Sequence, residues 1–173
     1  MILTGTAIDE ELKHGEITIS PFEASRLNPN SYNYRLGRTL KVFSHFDGTK
    51  SYFRDLQIPN EGYILEPHQT YLGHTLETIG SSKYAMSLIG RSSLGRLGLF
   101  LQLSANLGHT TSCHQWTLEM VATRPIKIYP EMIIGQVSFW TNQGDISEKE
   151  ATYANYNLPQ ESLGAVSGER VSL

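Results

Sequence analysis

A chain of 173 residues, 39% hydrophobic and 18% charged, is long enough for one cored domain and too apolar for a disordered one. Its formal net charge of −3 gives no electrostatic footing for nucleic acid or an acidic membrane surface, so any anion site must be built locally. The single cysteine, Cys113, excludes an internal disulfide framework and suits a reducing, cytoplasmic compartment; the opening residues carry no signal-peptide pattern and no apolar run long enough to span a membrane.

The first expected element is a short helix in "TAIDEELKHG". Thr6 is the expected cap, with Asp9 three residues on as in a capping box. Ile8 and Leu12 share a face, and Gly15 is the natural stop. "NPNSYNYRLG" (28–37) has turn chemistry leading into a strand, on which Tyr32 and Tyr34 share a face. From there the chain breaks every eight to twelve residues at Gly, Pro, Asn or Asp. Between the breaks lie runs rich in β-branched and aromatic residues: "TLKVFSHF", "YILEP", "TYLGHTLE", "YAMSLIG", "LGLFLQLSA", "QWTLEMVA", "PIKIYP" and "MIIGQVSFW". That pattern predicts an all-β barrel or sandwich. No second helical pattern of ten residues or more is visible, which counts against βαβ units. After "FWTNQGD" the chain turns polar and loses periodicity, yet Tyr153 and Tyr156 suggest a tail that docks. The expected organisation is one β-barrel domain over 1–146 and a C-terminal lid over 147–173.

Four stretches invite a chemical reading. In "GRSSLGR" (90–96), glycine-freed backbone N–H groups, two hydroxyls and two guanidinium forks would cradle a phosphate. It is not a P-loop, because the Gly-Lys-Ser ending and the following helix are missing; the plain alternative is a turn with exposed arginines. In "QWTLEMV", alternation puts Trp116, Leu118 and Met120 on one face and Thr117, Glu119 and Val121 on the other. Glu119 is then either a proton-shuttling carboxylate in a wet cavity or an ordinary residue on the solvent face of a sheet. His109, Cys113 and His114 lack a fourth metal ligand nearby, and adjacent Cys113 and His114 would point opposite ways on a strand, so no protein-bound metal is expected. Gln136 is a polar residue within an apolar strand, either a ligand contact or a residue with no role.

Together these segments resemble the dCTP deaminase family, relatives of the trimeric dUTPases, from Met1 to about Ser167. "YAMSLIGRSSLGRLGLF" is similar to the family's nucleotide loop. The fourteen residues from Ala105 to Glu119 match its spacing from a water-positioning alanine to a catalytic glutamate. "NPNSYNYRLG" and "YPEMIIGQVSF" resemble its "P-S-S-x-D-x-R-L-G" turn and "P-G-M-x-I-G-Q-L-x-F" hairpin.

The resemblance implies a distorted, jelly-roll-like β-barrel of the dUTPase type, assembled as a homotrimer with shared active sites. It also implies hydrolytic deamination of a cytosine nucleotide, dCTP first. Arg91, Ser92, Ser93 and Arg96 would hold phosphates, with Ser92 and Arg96 also near the base. Carbonyls around Ser104 and Ala105 would hold the attacking water, and Glu119 would shuttle its proton. Gln102, Asn106, His109 and Gln136 are further candidate nucleotide contacts, as are Tyr153, Tyr156 and Gln160 of the C-terminal segment. No cofactor is implied beyond Mg2+ carried on the nucleotide phosphates.

Four departures stand out. Asn33 and His109 replace family aspartates, Leu107 replaces a basic residue, and "YANYNLPQESLGAV" has no lysine. Pyrophosphate release is therefore not expected, while the sugar, phosphate count and base modification stay open. A nucleotide-binding paralogue without chemistry, or a hydrolase cutting another bond of a pyrimidine nucleotide, are the competing readings.

Overall fold

The computed structural model describes residues 1–48, 51–146 and 156–162. The chain begins with helix α1 (Gly5–Lys13), followed by strands β1 (Ile17–Ser20), β2 (Leu27–Asn28), β3 (Ser31–Arg35), β4 (Thr39–Phe46) and β5 (Ser51–Gln57). Then come β6 (Tyr63–Leu65), β7 (Thr70–His74), β8 (Thr78–Ser81) and β9 (Tyr84–Gly90), and a one-turn helix α2 (Ser92–Arg96). The last strands are β10 (Leu99–Leu101), β11 (Leu107–Gly108), β12 (Cys113–His114), β13 (Thr117–Ala122), β14 (Ile126–Ile128) and β15 (Ile133–Thr141).

Two five-stranded sheets form the body, in orders β11-β9-β15-β3-β2 and β10-β13-β7-β4-β5. A smaller sheet, β1-β8-β12, and the pair β14-β6 complete it. The paired strands run antiparallel, as hairpin-rich connections require. The all-β architecture expected from the sequence is the one the chain adopts. Alternation explains it: along β13 the side chains run half-buried, buried, half-buried, with Leu118, Met120 and Ala122 turned inward. They meet Leu36, Leu40, Leu88, Val137 and Phe139 in one apolar core. Tyr32 and Tyr34 are both fully buried.

Helix α1 forms where expected, but its cap is Thr4, whose Oγ1 accepts from the Ala7 N–H at 3.3 Å, and not Thr6. The helix therefore starts one residue before the expected cap. It ends in a Schellman motif: Glu16 N–H donates to the Glu11 carbonyl and Gly15 N–H to that of Leu12, with Gly15 at φ +79°. Ile8 docks the helix on the barrel.

A buried ion pair ties β3 to the turn after β7. Arg35 Nε donates to Glu77 Oε1 at 2.7 Å and Arg35 N–H to Oε2 at 2.8 Å, while Glu77 is fully buried. Burial works against the Arg35 charge, but the Glu77 carboxylate outweighs it and holds the guanidinium pKa above its usual range.

Candidate active site

The stretch from Arg91 to Arg96 follows directly on the end of β9. Tyr34 Oη donates to the Ile89 carbonyl at 2.9 Å, fixing the strand where "GRSSLGR" leaves it. That stretch bridges the sheets, from the end of β9 in one to the start of β10 in the other. Its centre is α2, one helical turn in which Leu94 and Gly95 N–H groups donate to the Arg91 carbonyl. Leu94 packs on the core, while Ser92, Ser93 and Arg96 are exposed and Arg91 is half-buried. The sequence suggested an irregular loop; the turn of helix forms because Leu94 gives it an apolar anchor.

Strand β10 pairs with β13 only as far as Leu101, opposite Met120. Gln102 follows at φ +52°, a left-handed conformation that costs a non-glycine residue on the order of 1 kcal/mol and turns the chain off the sheet. Gln102 N–H still donates to the Glu119 carbonyl at 3.1 Å, and its side chain takes over the ladder from there. Its Oε1 accepts from Glu119 N–H at 2.8 Å, and its Nε2 reaches the Ala105 carbonyl at 3.2 Å and the Thr117 carbonyl at 3.3 Å. The segment then returns to the other sheet: Leu88 N–H donates to the Asn106 carbonyl at 2.8 Å, Asn106 Nδ2 to Ser87 Oγ at 3.2 Å, and Leu107 pairs with Ser87. Ser104 and Ala105 are thus exposed between two anchored ends.

Glu119 lies on the outer face of β13, half-buried. Its lateral neighbours across the sheet are Leu72 and then Lys41. The segment 156–162 crosses this face. Gln160 N–H donates to Thr117 Oγ1 at 3.0 Å, Asn157 Oδ1 accepts from Gln115 N–H at 3.2 Å, and Lys41 Nζ pairs with Glu161 at 3.0 Å. Pro159 is buried beneath it. Gln160 therefore belongs to the strand face that carries Glu119; Tyr156 is half-buried, and Tyr153 lies outside the described residues. Nothing in the residue pattern marked Lys41, which sits in a strand of unremarkable pattern and is linked to the tail only by folding.

Gln136 sits beside Ile89 and Asn33, and its Oε1 accepts from Ser31 Oγ at 2.9 Å. His109 stands apart, in an exposed turn beyond β11. His114 is buried with its ring tilted against that of Trp116, and its Nδ1 lies against the Gln115 carbonyl, whereas Cys113 is exposed. As alternation required, neighbours 113 and 114 face opposite ways.

Residues 2–142 match the family model described as dCTP deaminase-like. The chain is 41% identical to a dCTP deaminase of Rhodopirellula baltica over 167 residues, covering 94% of this chain and 84% of that protein. It is 44% identical to a "dCTP deaminase, dUMP-forming" of Cytophaga hutchinsonii, covering 94% and 96%, and 43% identical to one of Leptospira biflexa, covering 86% of each. Among solved structures, the 2'-deoxycytidine 5'-triphosphate deaminase of Agrobacterium tumefaciens shares the fold with a TM-score of 0.66 at 18% identity, over 85% of this chain and 50% of that one. With the family model spanning most of its length and relatives above 40% identity along nearly all of it, the chain belongs to the dCTP deaminase-like family.

Proposed function

We propose that this protein hydrolyses the exocyclic amine of a cytosine nucleotide, with dCTP as the first substrate. The observation that carries the reading is the link from Glu119 to the Ala105 carbonyl through one carboxamide, in a chain that also presents exposed Ser92, Ser93 and Arg96. A water held at the Ala105 and Ser104 carbonyls gives a proton to Glu119 as its oxygen attacks C4. Glu119 passes that proton to N3. The tetrahedral centre then collapses: the C4–N4 bond breaks and the amine leaves as ammonia with the second proton of the water. Cytosine nucleotide and water become uracil nucleotide and ammonia. Arg91 and Arg96 hold the phosphates by charge-assisted bonds, with Mg2+ entering on the phosphates. The residues in this scheme supply general acid–base catalysis and fixed dipoles.

The reading stops at dUTP. His109, exposed beyond β11, stands where the resemblance expects an aspartate. The names of the Cytophaga and Leptospira relatives favour the second reading, in which dUMP and pyrophosphate follow. A panel of dCTP, CTP, dCMP and 5-substituted analogues, with ammonia and pyrophosphate followed together, separates the outcomes. Ammonia alone supports the reading. Equimolar pyrophosphate moves it to the bifunctional reaction, and turnover of no cytosine nucleotide overturns it.

Assembly as a homotrimer with sites between subunits is part of the proposal. Its support is the apolar rim around the site: Leu97, Leu103 and Leu107 are 56%, 67% and 60% exposed in the single chain, more than an isolated domain gains from leaving in water. Light scattering should return three chain masses. No helix among the described residues is long and apolar enough to cross a membrane; a cytoplasmic setting suits the exposed thiol of Cys113.

A further inference from the structure

We propose that Gln102 is a positioning residue for the deamination, one that sets the Ala105 carbonyl against the strand carrying Glu119. The inference rests on the function proposed above, and gives Gln102 a different task from direct nucleotide contact. Beyond Leu101 no strand among the described residues covers the edge of β13, so without the Gln102 side chain Thr117 C=O and Glu119 N–H there would be unpaired ladder groups. The Gln102 carboxamide meets both, at 3.3 and 2.8 Å. Its second amide proton is what remains for the Ala105 carbonyl, at 3.2 Å.

A primary carboxamide alone among side chains offers this set: an acceptor and two donors on one plane. The Ala105 oxygen has two lone pairs, and the bond to Gln102 uses one. The other is left in a fixed direction for the attacking water. Because the Glu119 backbone and the Ala105 carbonyl are both tied to the same planar group, the place of the water relative to the strand that carries Glu119 is set by that plane and not by the exposed 103–105 backbone. A small misplacement there acts on the transition state more than on nucleotide binding.

The test compares wild type with Gln102→Met, which keeps the length and removes every polar atom, and Gln102→Glu, which keeps the acceptor for Glu119 N–H and loses the donors. Gln102→Met should lower kcat by at least about tenfold while KM stays within about threefold. Gln102→Glu should be equally slow at pH 8. Its activity relative to wild type should recover as the pH falls and the new carboxyl gains an O–H to give to Ala105. If Gln102→Met does not fold, the pH ratio of Gln102→Glu carries the test. The proposal is overturned if Gln102→Met keeps kcat within about twofold of wild type, or if the Gln102→Glu ratio is flat with pH. A wild type that turns over no cytosine nucleotide overturns the parent reading and this one together. An active wild type with an indifferent Gln102 overturns this one alone.

Discussion

Gln102 and Glu119 bond to each other twice: Glu119 N–H donates to the Gln102 side chain at 2.8 Å, and Gln102 N–H donates to the Glu119 carbonyl at 3.1 Å. Both bonds use the Glu119 backbone, so its carboxylate is left out of the scaffold. Glu119→Gln should therefore fold normally and bind nucleotide while losing at least about 10² in deamination rate, the usual worth of a positioned acid–base group. Ammonia release and calorimetric nucleotide binding, measured on the same preparation, check this. A variant as fast as wild type would remove Glu119 from the chemistry.

Glu77 should behave in the opposite way. It is fully buried and its two oxygens hold the Nε and backbone N–H of Arg35. Glu77→Gln leaves the Arg35 guanidinium, itself only 8% exposed, without its main counter-charge. Removing one partner of a buried pair costs about 3–5 kcal/mol, so the urea midpoint should fall sharply or the variant should be insoluble. A change under about 1 kcal/mol would show that water reaches the pair.

His74 makes stability pH-dependent. It is 5% exposed, its Nδ1 lies 3.0 Å from the Thr75 carbonyl, and its Nε2 has no hydrogen-bond partner among the described residues. A Cβ on Gly37 would fall within 2.2 Å of the ring, so Gly37 is packed flat against it. Burial depresses the imidazole pKa, partly offset by the Thr75 bond. The folded pKa lies below the unfolded value of about 6.5, so the unfolded chain binds the extra proton first. The contribution is complete above that value and is lost as the pH falls through the folded pKa. His74→Asn keeps a donor near Thr75 and removes the titration. Its Tm should be lower at neutral pH, yet decline less between pH 7.5 and 5 than that of wild type. Parallel Tm curves would exclude His74 as the source.

Lys41 should govern the C-terminal segment and little else. It pairs with both Asp55 and Glu161 at 3.0 Å while 21% exposed. A partly exposed pair contributes under about 1 kcal/mol, so Lys41→Met should scarcely move the Tm. Amide exchange in 156–162 should nonetheless rise several-fold, with β13 and β9 unchanged. Exchange identical to wild type would show that the Gln160–Thr117 and Asn157–Gln115 bonds suffice.

Strands with one wet face were plain in the sequence, since β9 and β13 alternate inward and outward along their length and β4 does so over its first half. β5 escaped notice because it is a sheet edge with Arg54 and Asp55 at its centre, and solvent on both faces leaves alternation nothing to act on. "LGLFLQLSA" looked like one long strand but stops at Leu101, because the left-handed turn falls on a glutamine, a residue with no turn signature. Thr6 was the expected cap, but Pro29 fixes an earlier entry by accepting from Gly5 N–H, which leaves Thr4 as the cap. Of the candidate site, the residue types and their spacing were legible. The partnership of Gln102 with Glu119 and Ala105, and of Lys41 with Glu161, depends on strand neighbours far apart in the chain, which spacing does not encode.

The left-handed turn at Gln102 has a counterpart. Thr111, at φ +75°, also lies in the left-handed region, and its N–H is fixed to the Ser81 carbonyl at 2.7 Å. The stretch between them is therefore clamped at both ends by backbone geometry, with Asn106, Leu107 and Gly108 as its rungs toward β9. Leu103 and His109, both exposed and outside the strands, can be exchanged without disturbing a strand of the barrel. The loop behaves as a replaceable cassette, in which substrate preference can drift over evolutionary time while the acid–base frame beneath stays constant.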